Sequence, residues 1–321
     1  MRLATRKGGT PDGELIVVSA DGARCLPAGA KWPSLLAAME QWPAASADLA
    51  QAAAALAAGE GAPLDAGELR APLPRSWQWL DGSAFATHGQ LMQIAFGMDP
   101  VDATRPLMYQ GMSDRFLGPR DPVPFPDESL GIDFEGEFGV IVDAVPMGVT
   151  AEEAAGHIRL VVQINDWSLR TLAPIEMKTG FGWVQAKPAC SMAPFAVTPD
   201  ELGPDWRHGR VCLDLTVEWN GKRFGKVNGD QMAFSFPELV AHAARTRDLV
   251  AGTIIGSGTV SNAEYAERGS ACISECRAIE IIAGGKPQTA FMAFGDEVCM
   301  QVRDGAGRDI FGQIRQEVIR A

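Results

Sequence analysis

Five consecutive residues, Asp133-Phe134-Glu135-Gly136-Glu137, run straight into the apolar stretch Phe138-Gly139-Val140-Ile141-Val142. Side chains two apart on a strand share a face, so Glu135 and Glu137 are expected to project together. Adjacent carboxylates repel, and burying them without a partner is expensive. A divalent cation held by oxygen ligands resolves that conflict. A third acid, Asp166, stands just after the apolar run Leu160-Val161-Val162-Gln163-Ile164. Together the three acids point to a hard-metal site. The competing reading is the solvated polar face of an amphipathic strand, because an isolated motif is only a hypothesis without its context.

Composition narrows the function classes. The chain has 321 residues, 46% of them hydrophobic, enough for one large domain or two unequal ones. A net charge of -12 argues against a nucleic-acid partner, which needs clustered Lys and Arg, and against an anionic membrane surface. The start, Met1-Arg2-Leu3-Ala4-Thr5-Arg6-Lys7, leads into Gly and Asp and carries no secretory pattern. The Ala-rich stretch from Leu49 to Gly59 is too short to span a bilayer and reads as a short surface helix. Six cysteines without a C-x-x-C pair, Cys272 and Cys276 among them, read as buried thiols of a cytoplasmic protein.

The elements that must position these acids are short strands broken by Gly and Pro turns. Leu15–Ser19 reads as a strand before an Asp21-Gly22 turn, and Ala71-Pro72-Leu73-Pro74-Arg75 as a stiff linker. The boundary is placed there, giving a small N-terminal β-rich domain (1–73) and a main domain (74–321). Further strands are expected at 137–142, 159–165, 211–219, 253–258, 276–282 and 297–302, with a hairpin loop at Asp304–Gly307. Helix starts carry capping-box spacing at Thr150/Glu153, Thr198/Glu201 and Ser235/Glu238. The segments Pro119–Pro126 and Gly180–Gly182 are candidate covers or plain surface loops. The fold class is α+β and strand-rich, with no regular alternation of strands and long helices. Gly256-Ser257-Gly258-Thr259 lacks the ending of a phosphate loop; it either brings backbone and the Thr259 hydroxyl near a ligand or is an ordinary tight turn.

The ordered set Asp133–Glu137, Asn165-Asp166-Trp167-Ser168-Leu169-Arg170, Gln185-Ala186-Lys187-Pro188, Ala193–Leu202 and Gly252–Ile255 leading to Gly258-Thr259 resembles the fumarylacetoacetate hydrolase family from about Pro72 onward. That resemblance implies the family's mixed β-sandwich roll, a homodimer, and a site for Mg2+, with Ca2+ or Mn2+ as alternatives. It implies Glu135, Glu137 and Asp166 as metal ligands. The family's spacing of an Asp seven residues before a catalytic His is matched by Asp81 and His88, implying a fourth metal-site acid and a general base. Glu275 is the candidate to orient His88; otherwise it is an acid on a strand edge. Arg170 and Lys187 match positions that bind a substrate carboxylate and polarise its oxygens, with surface salt bridges as the plain alternative. Tyr109 matches a substrate-contacting tyrosine, or is a half-buried core residue. His157, His208 and His242 match nothing and read as helix-face or loop residues.

Positions that carry further polar or aromatic groups in fumarylacetoacetase itself read here as Ser83, Gly97, Ala173 and Met177. The implied activity is metal-dependent hydrolysis of a C–C bond in a 1,3-diketone or acylpyruvate-type keto acid. Oxaloacetate decarboxylation, dehydratase or lyase chemistry on a 2-keto-3-deoxy sugar acid, and metal-dependent keto-acid binding without turnover are the alternatives, because fold does not fix function.

Overall fold

The structure is a computed structural model that describes residues 1–97 and 104–321. The chain begins with β1 (Arg2–Arg6), β2 (Glu14–Val18) and β3 (Arg24–Pro27), then helices α1 (Leu35–Glu40) and α2 (Trp42–Ala57), then β4 (Ala62–Pro63). Next come β5 (Trp79–Ser83), α3 (Ala86–Phe96), β6 (Leu107–Gly111), β7 (Val123–Phe125), β8 (Ile132–Asp133) and β9 (Gly136–Val142). Helix α4 (Ala151–Ala155) leads to β10 (Ile158–Asn165), β11 (Ser168–Leu169), α5 (Ala173–Met177), β12 (Ser191–Met192) and β13 (Phe195–Val197). Four short strands follow, β14 (Trp206–Arg207), β15 (Arg210–Val211), β16 (Asp214–Trp219) and β17 (Lys222–Asn228). The chain ends with α6 (Phe236–Ala243), β18 (Ile254–Gly256), α7 (Tyr265–Arg268), α8 (Ile273–Gly284), β19 (Glu297–Val302) and β20 (Ile314–Arg320).

The main sheet runs β4-β3-β2-β1-β13-β10-β9-β18-β5-β6, with β12 also on β10. A second sheet runs β17-β16-β19-β20-β7. Strand β9 shows how the layers form. Phe138, Val140 and Val142 enter a core shared with Leu215, Met300 and Val318 of the second sheet. Ile141 points the other way, into a core with Val162, Ile164, Trp79 and the helical residues Leu35 and Met39. A strand covered on both faces must be apolar almost throughout, as this one is.

Several sequence expectations change here. The 276–282 segment is not a strand; it lies inside α8, a helix that carries Glu275 in its first turn rather than on a strand edge. The 211–219 segment is two strands, β15 and β16, separated at Cys212-Leu213. The Ala-rich stretch belongs to a longer helix, α2, whose Trp42, Ala45, Leu49 and Leu56 are buried. Thr150 and Ser235 form full capping boxes. Thr198 does not: its hydroxyl accepts from the Met1 ammonium at 2.5 Å, and a 3-10 helix follows. Pro119–Pro126 contains β7, whose Val123 and Phe125 are buried beside β20, so it is not a free cover. All six cysteines are free thiols; Cys272 is buried and Cys276 is half-buried. No helix among the described residues is long and apolar enough to cross a membrane.

Candidate active site

Three strand ends bring the acids together. Trp79 sits in the core beside the α1–α2 helices, and Asp81 is two residues further along β5, on the same face. Ile141 occupies that face of β9, and Glu137 shares it four residues back. Ile164 occupies it on β10, and Asp166 follows two residues on. Carboxylate oxygens of Asp81, Glu137 and Asp166 all lie within 4.8 Å of one another, and all three residues are buried.

Two glycines make this convergence possible. A Cβ on Gly139 would lie 2.7 Å from Ile164 Cδ1, and one on Gly256 would lie 2.3 Å from both Asp81 Oδ1 and the Trp79 ring. A side chain at either position would push against the groups that close around the acids. The Gly258 amide then donates to Asp81 Oδ1 at 3.0 Å. Thr259, the next residue, is buried beside this contact.

Burial, then the neighbouring Asp166 and Asp81 charges, push the carboxyls of Asp81 and Glu137 well above the ordinary range. Neither oxygen of Glu137 has a hydrogen-bond partner. Glu135 has the opposite fate. Burial opposes its charge, but Arg170 and Lys187 outweigh that and hold it far below the usual carboxylate range. Lys187 Nζ donates to Glu135 Oε2 and to Asp166 Oδ2, each at 2.6 Å. Glu135 therefore stands one step from the three-acid cluster, joined to it through a lysine. Burial opposes the Lys187 charge as well, and Asp166 and Glu135 more than compensate, so the ammonium is firmly held.

Arg170 Nε donates to Asp133 Oδ2 at 2.8 Å, and its Nη2 donates to Glu135. Asp133 in turn accepts from the Ile273 and Ser274 amides at 2.7 and 2.9 Å, N–H groups at the start of α8 that have no partner within the helix. Tyr109 lies opposite Asp81 in the β5–β6 pair, and its hydroxyl donates to Asp166 Oδ2 at 2.5 Å. Burial and the Asp166 charge raise the Tyr109 phenol, which keeps it a donor.

His88 arrives from a different element, the first turn of α3. Its Nδ1 lies 2.8 Å from Glu275 Oε2, and Glu275 is fully buried in the first turn of α8. The tether is a long-range contact between two helices, and it leaves the second ring nitrogen, Nε2, for other work. His157 pairs with Asp143 at 2.7 Å, while His208 lies in a loop and His242 on α6, all outside this site.

Sequence reasoning missed four residues here. Trp183 packs edge-on against Tyr109, ring centres 4.8 Å apart, and the Lys187 ammonium sits 5.4 and 5.6 Å from the Tyr109 and Trp183 ring centres. The Cys190 thiol donates to Asp166 Oδ1 at 3.0 Å. Cys272 caps α8, accepting from the Glu275 amide at 3.3 Å. Asp133 lay inside the quoted motif, but its helix-binding role depends on a segment 140 residues away. A cleft of about 240 Å3, lined by Thr87, Gln90, Leu91, Ile94, Ala263 and Tyr265, runs along one face of α3.

Residues 78–319 match the fumarylacetoacetate (FAA) hydrolase C-terminal family, and residues 1–75 match fumarylacetoacetase N-terminal domain 2. The chain is 29% identical over 159 residues to a 2,4-didehydro-3-deoxy-L-rhamnonate hydrolase of Sphingomonas sp. (strain SKA58), covering 49% of this chain and 53% of that protein. It is 25% identical over 183 residues to a mitochondrial oxaloacetate tautomerase of Xenopus laevis, covering 52% and 54%. The chain thus spans about half the length of these relatives. Its fold is similar to that of a maleylpyruvate hydrolase from Sphingobium sp. SYK-6 solved with manganese(II) and pyruvate, at TM-score 0.67 and 17% identity with both chains fully covered. It is also similar to a 5-carboxymethyl-2-hydroxymuconate delta-isomerase from Mycobacterium smegmatis, at TM-score 0.63 and 20% identity over 100% and 99% of the two chains. With both family profiles matched in order along nearly its whole length, the chain belongs to the fumarylacetoacetate hydrolase family.

Proposed function

We propose that the protein is a divalent-metal-dependent hydrolase that cleaves the C–C bond of a 1,3-diketo or acylpyruvate-type acid. One observation carries this reading. Three buried acids converge within 4.8 Å, one with both oxygens unpartnered, and Lys187 joins them to Glu135, which lies within 4.8 Å of a histidine tethered to a buried glutamate. An orphaned, fully buried carboxylate is costly, and a hard cation relieves the cost. The donor set therefore fits Mg2+ or Mn2+. Asp81, Glu137 and Asp166 would hold it, while Glu135, the fourth acid expected as a ligand, is turned to Lys187 and Arg170. When bound, such an ion supplies Lewis acidity toward the two oxygens of a diketone.

The chain's own groups do the rest. His88, fixed by Glu275, takes a proton from water at Nε2. That water attacks the distal carbonyl. As the C–C bond breaks, its electron pair forms the C=C bond of the leaving pyruvate enolate, whose oxygen takes the charge, and the proton held at His88 is returned to the enolate carbon to give pyruvate. Lys187 stabilises that developing charge, and Thr259 donates to the ligand. Arg170 receives the substrate carboxylate while sharing its guanidinium with Asp133 and Glu135. Tyr109 contacts the substrate and keeps Asp166 oriented. The working unit is a homodimer, supported by the family membership and by the exposed Ile175, Met177, Phe181 and Val184 near the site.

The test is the ultraviolet enol band of a panel of acylpyruvates, followed with and without Mg2+. Decay that needs metal and yields pyruvate plus a free acid is expected. An enol band that relaxes without forming pyruvate would replace hydrolysis with tautomerase chemistry. Release of carbon dioxide from oxaloacetate alone would replace it with decarboxylation.

A further inference from the structure

We propose that His88, Glu135 and Cys272 form a second metal site, selective for a thiophilic divalent ion such as Zn2+. Ligand atoms of these three residues lie within 4.8 Å of one another. They come from three elements, α3, the turn before β9, and the cap of α8. Glu135 and Cys272 are held side by side by a backbone bridge, and the Cys272 thiol is pinned by the Glu275 amide at 3.3 Å.

Two features point to a cation there. His88 Nδ1 is engaged by Glu275 at 2.8 Å, which leaves Nε2 as the free donor. A carboxylate on the far ring nitrogen is the usual support of a metal-bound imidazole. The other Glu275 oxygen, Oε1, is buried and has no hydrogen-bond partner, an orphaned polar atom directly behind the imidazole. A cation on His88 Nε2 would give this buried carboxylate a counter-charge through the ring.

The donor types decide which ion. Sulfur, imidazole nitrogen and one carboxylate suit Zn2+ or Co2+, whereas Mg2+ takes oxygen and keeps water. The neighbouring Asp81–Glu137–Asp166 cluster is all oxygen. The two sites would sort ions by softness.

Loading has a definite chemistry. The Cys272 S–H bond breaks, its proton leaves to solvent, and a sulfur–metal bond forms with no change of oxidation state. Glu135 gives up Arg170, which keeps Asp133 as its partner, while Lys187 stays between Glu135 and Asp166. The ion then occupies the nitrogen that would accept the proton of water, so Zn2+ switches the reaction off. That consequence rests on the proposed function; the binding itself does not.

The test uses Co2+ alone as an optical probe, added to the full chain in excess Mg2+. A cobalt–thiolate charge-transfer band in the near ultraviolet is expected at one equivalent, and Zn2+ should bleach it. Cys272→Ser should abolish the band; serine is itself a favoured cap, so α8 keeps its start. His88→Gln should abolish it too, and Asp81→Asn should retain it. A wild type without the band, a band that Zn2+ leaves intact, a band surviving in folded Cys272→Ser, or one lost in Asp81→Asn would each overturn the proposal. Should Cys272→Ser fail to fold, His88→Gln decides by itself, since a retained band there excludes the site. Because the readout is optical, failure of acylpyruvate turnover leaves the result unchanged.

Discussion

At the scale of single residues, the site is a division of labour among carboxylates that the protein treats differently. Glu135 is clamped by two cations and stays ionised, whereas burial drives Asp81 and Glu137 toward protonation, helped by the Asp166 charge at Asp81 and by the Asp81 and Asp166 charges at Glu137. Glu137→Gln should therefore weaken Mg2+ or Mn2+ binding at least tenfold in calorimetry while leaving the fold intact; unchanged affinity would remove Glu137 from the ligand set. His88→Ala should lower turnover by about 10²–10⁴-fold with metal affinity nearly unchanged; equal loss of both would make His88 structural. The raised carboxyls also set a pH dependence. In the metal-free protein they hold protons that the unfolded chain has released above about pH 4. The folded state then binds more protons, so stability falls as pH rises from there toward the raised values. Glu135, displaced the other way, adds its own loss only in more acidic solution. Melting temperature in chelator should drop across this window, and saturating Mg2+ should flatten the drop. A metal-free melting temperature that rises over the same range would contradict the assignment. The acids were legible from their spacing and their likeness to family motifs. The splitting of Glu135 from Glu137 was not, because Lys187 and Arg170 reach Glu135 from 52 and 35 residues away in sequence.

At the scale of elements, strands place the acids, and two helices place His88 and its Glu275 partner. Gly256 on β18 is a tight joint next to the acids, where a Cβ would lie 2.3 Å from Asp81 Oδ1. Adding one methyl group there, Gly256→Ala, should cost about 1–3 kcal/mol of stability through overpacking against Asp81 and Trp79. It should also weaken metal binding, since Asp81 must shift; urea unfolding and metal titration on one preparation read both effects. Stability within error of wild type would show that the strands open more easily than their spacing implies. Strands β9, β10 and β19 were legible because their alternation and apolar runs coincide with real sheet positions. Helix α8 was misread. Ala278-Ile279-Glu280-Ile281-Ile282 alternates and is β-branched, which favours a strand locally. What makes it a helix is its start, where Cys272 caps one turn and Asp133 accepts two amide hydrogens from across the chain. Neither signal lies within the segment itself.

At the scale of the whole molecule, the first four strands are not an appendage. Strand β1 pairs with β13, and Leu3, Leu15 and Val17 share a core with Leu160, Val162 and Ile164. We propose that residues 1–73 are a distinct unit in sequence but a required wall of that core. A 74–321 fragment would expose the β13 edge and this apolar face, so it should aggregate or unfold without cooperativity. A soluble fragment that unfolds at the wild-type urea midpoint would sink that view. The sequence by itself determined the strand-rich class, the family and the chemical types at the site, because these follow from local alternation and from motifs within a few residues of one another. Only the tertiary structure decided which acids meet, that Lys187 stands between Glu135 and Asp166, and that His88 faces Glu275 across 187 residues. Those contacts arise from the closing of sheets and the docking of α3 on α8, and the free energy of that closure is spread over two cores rather than encoded at any one motif.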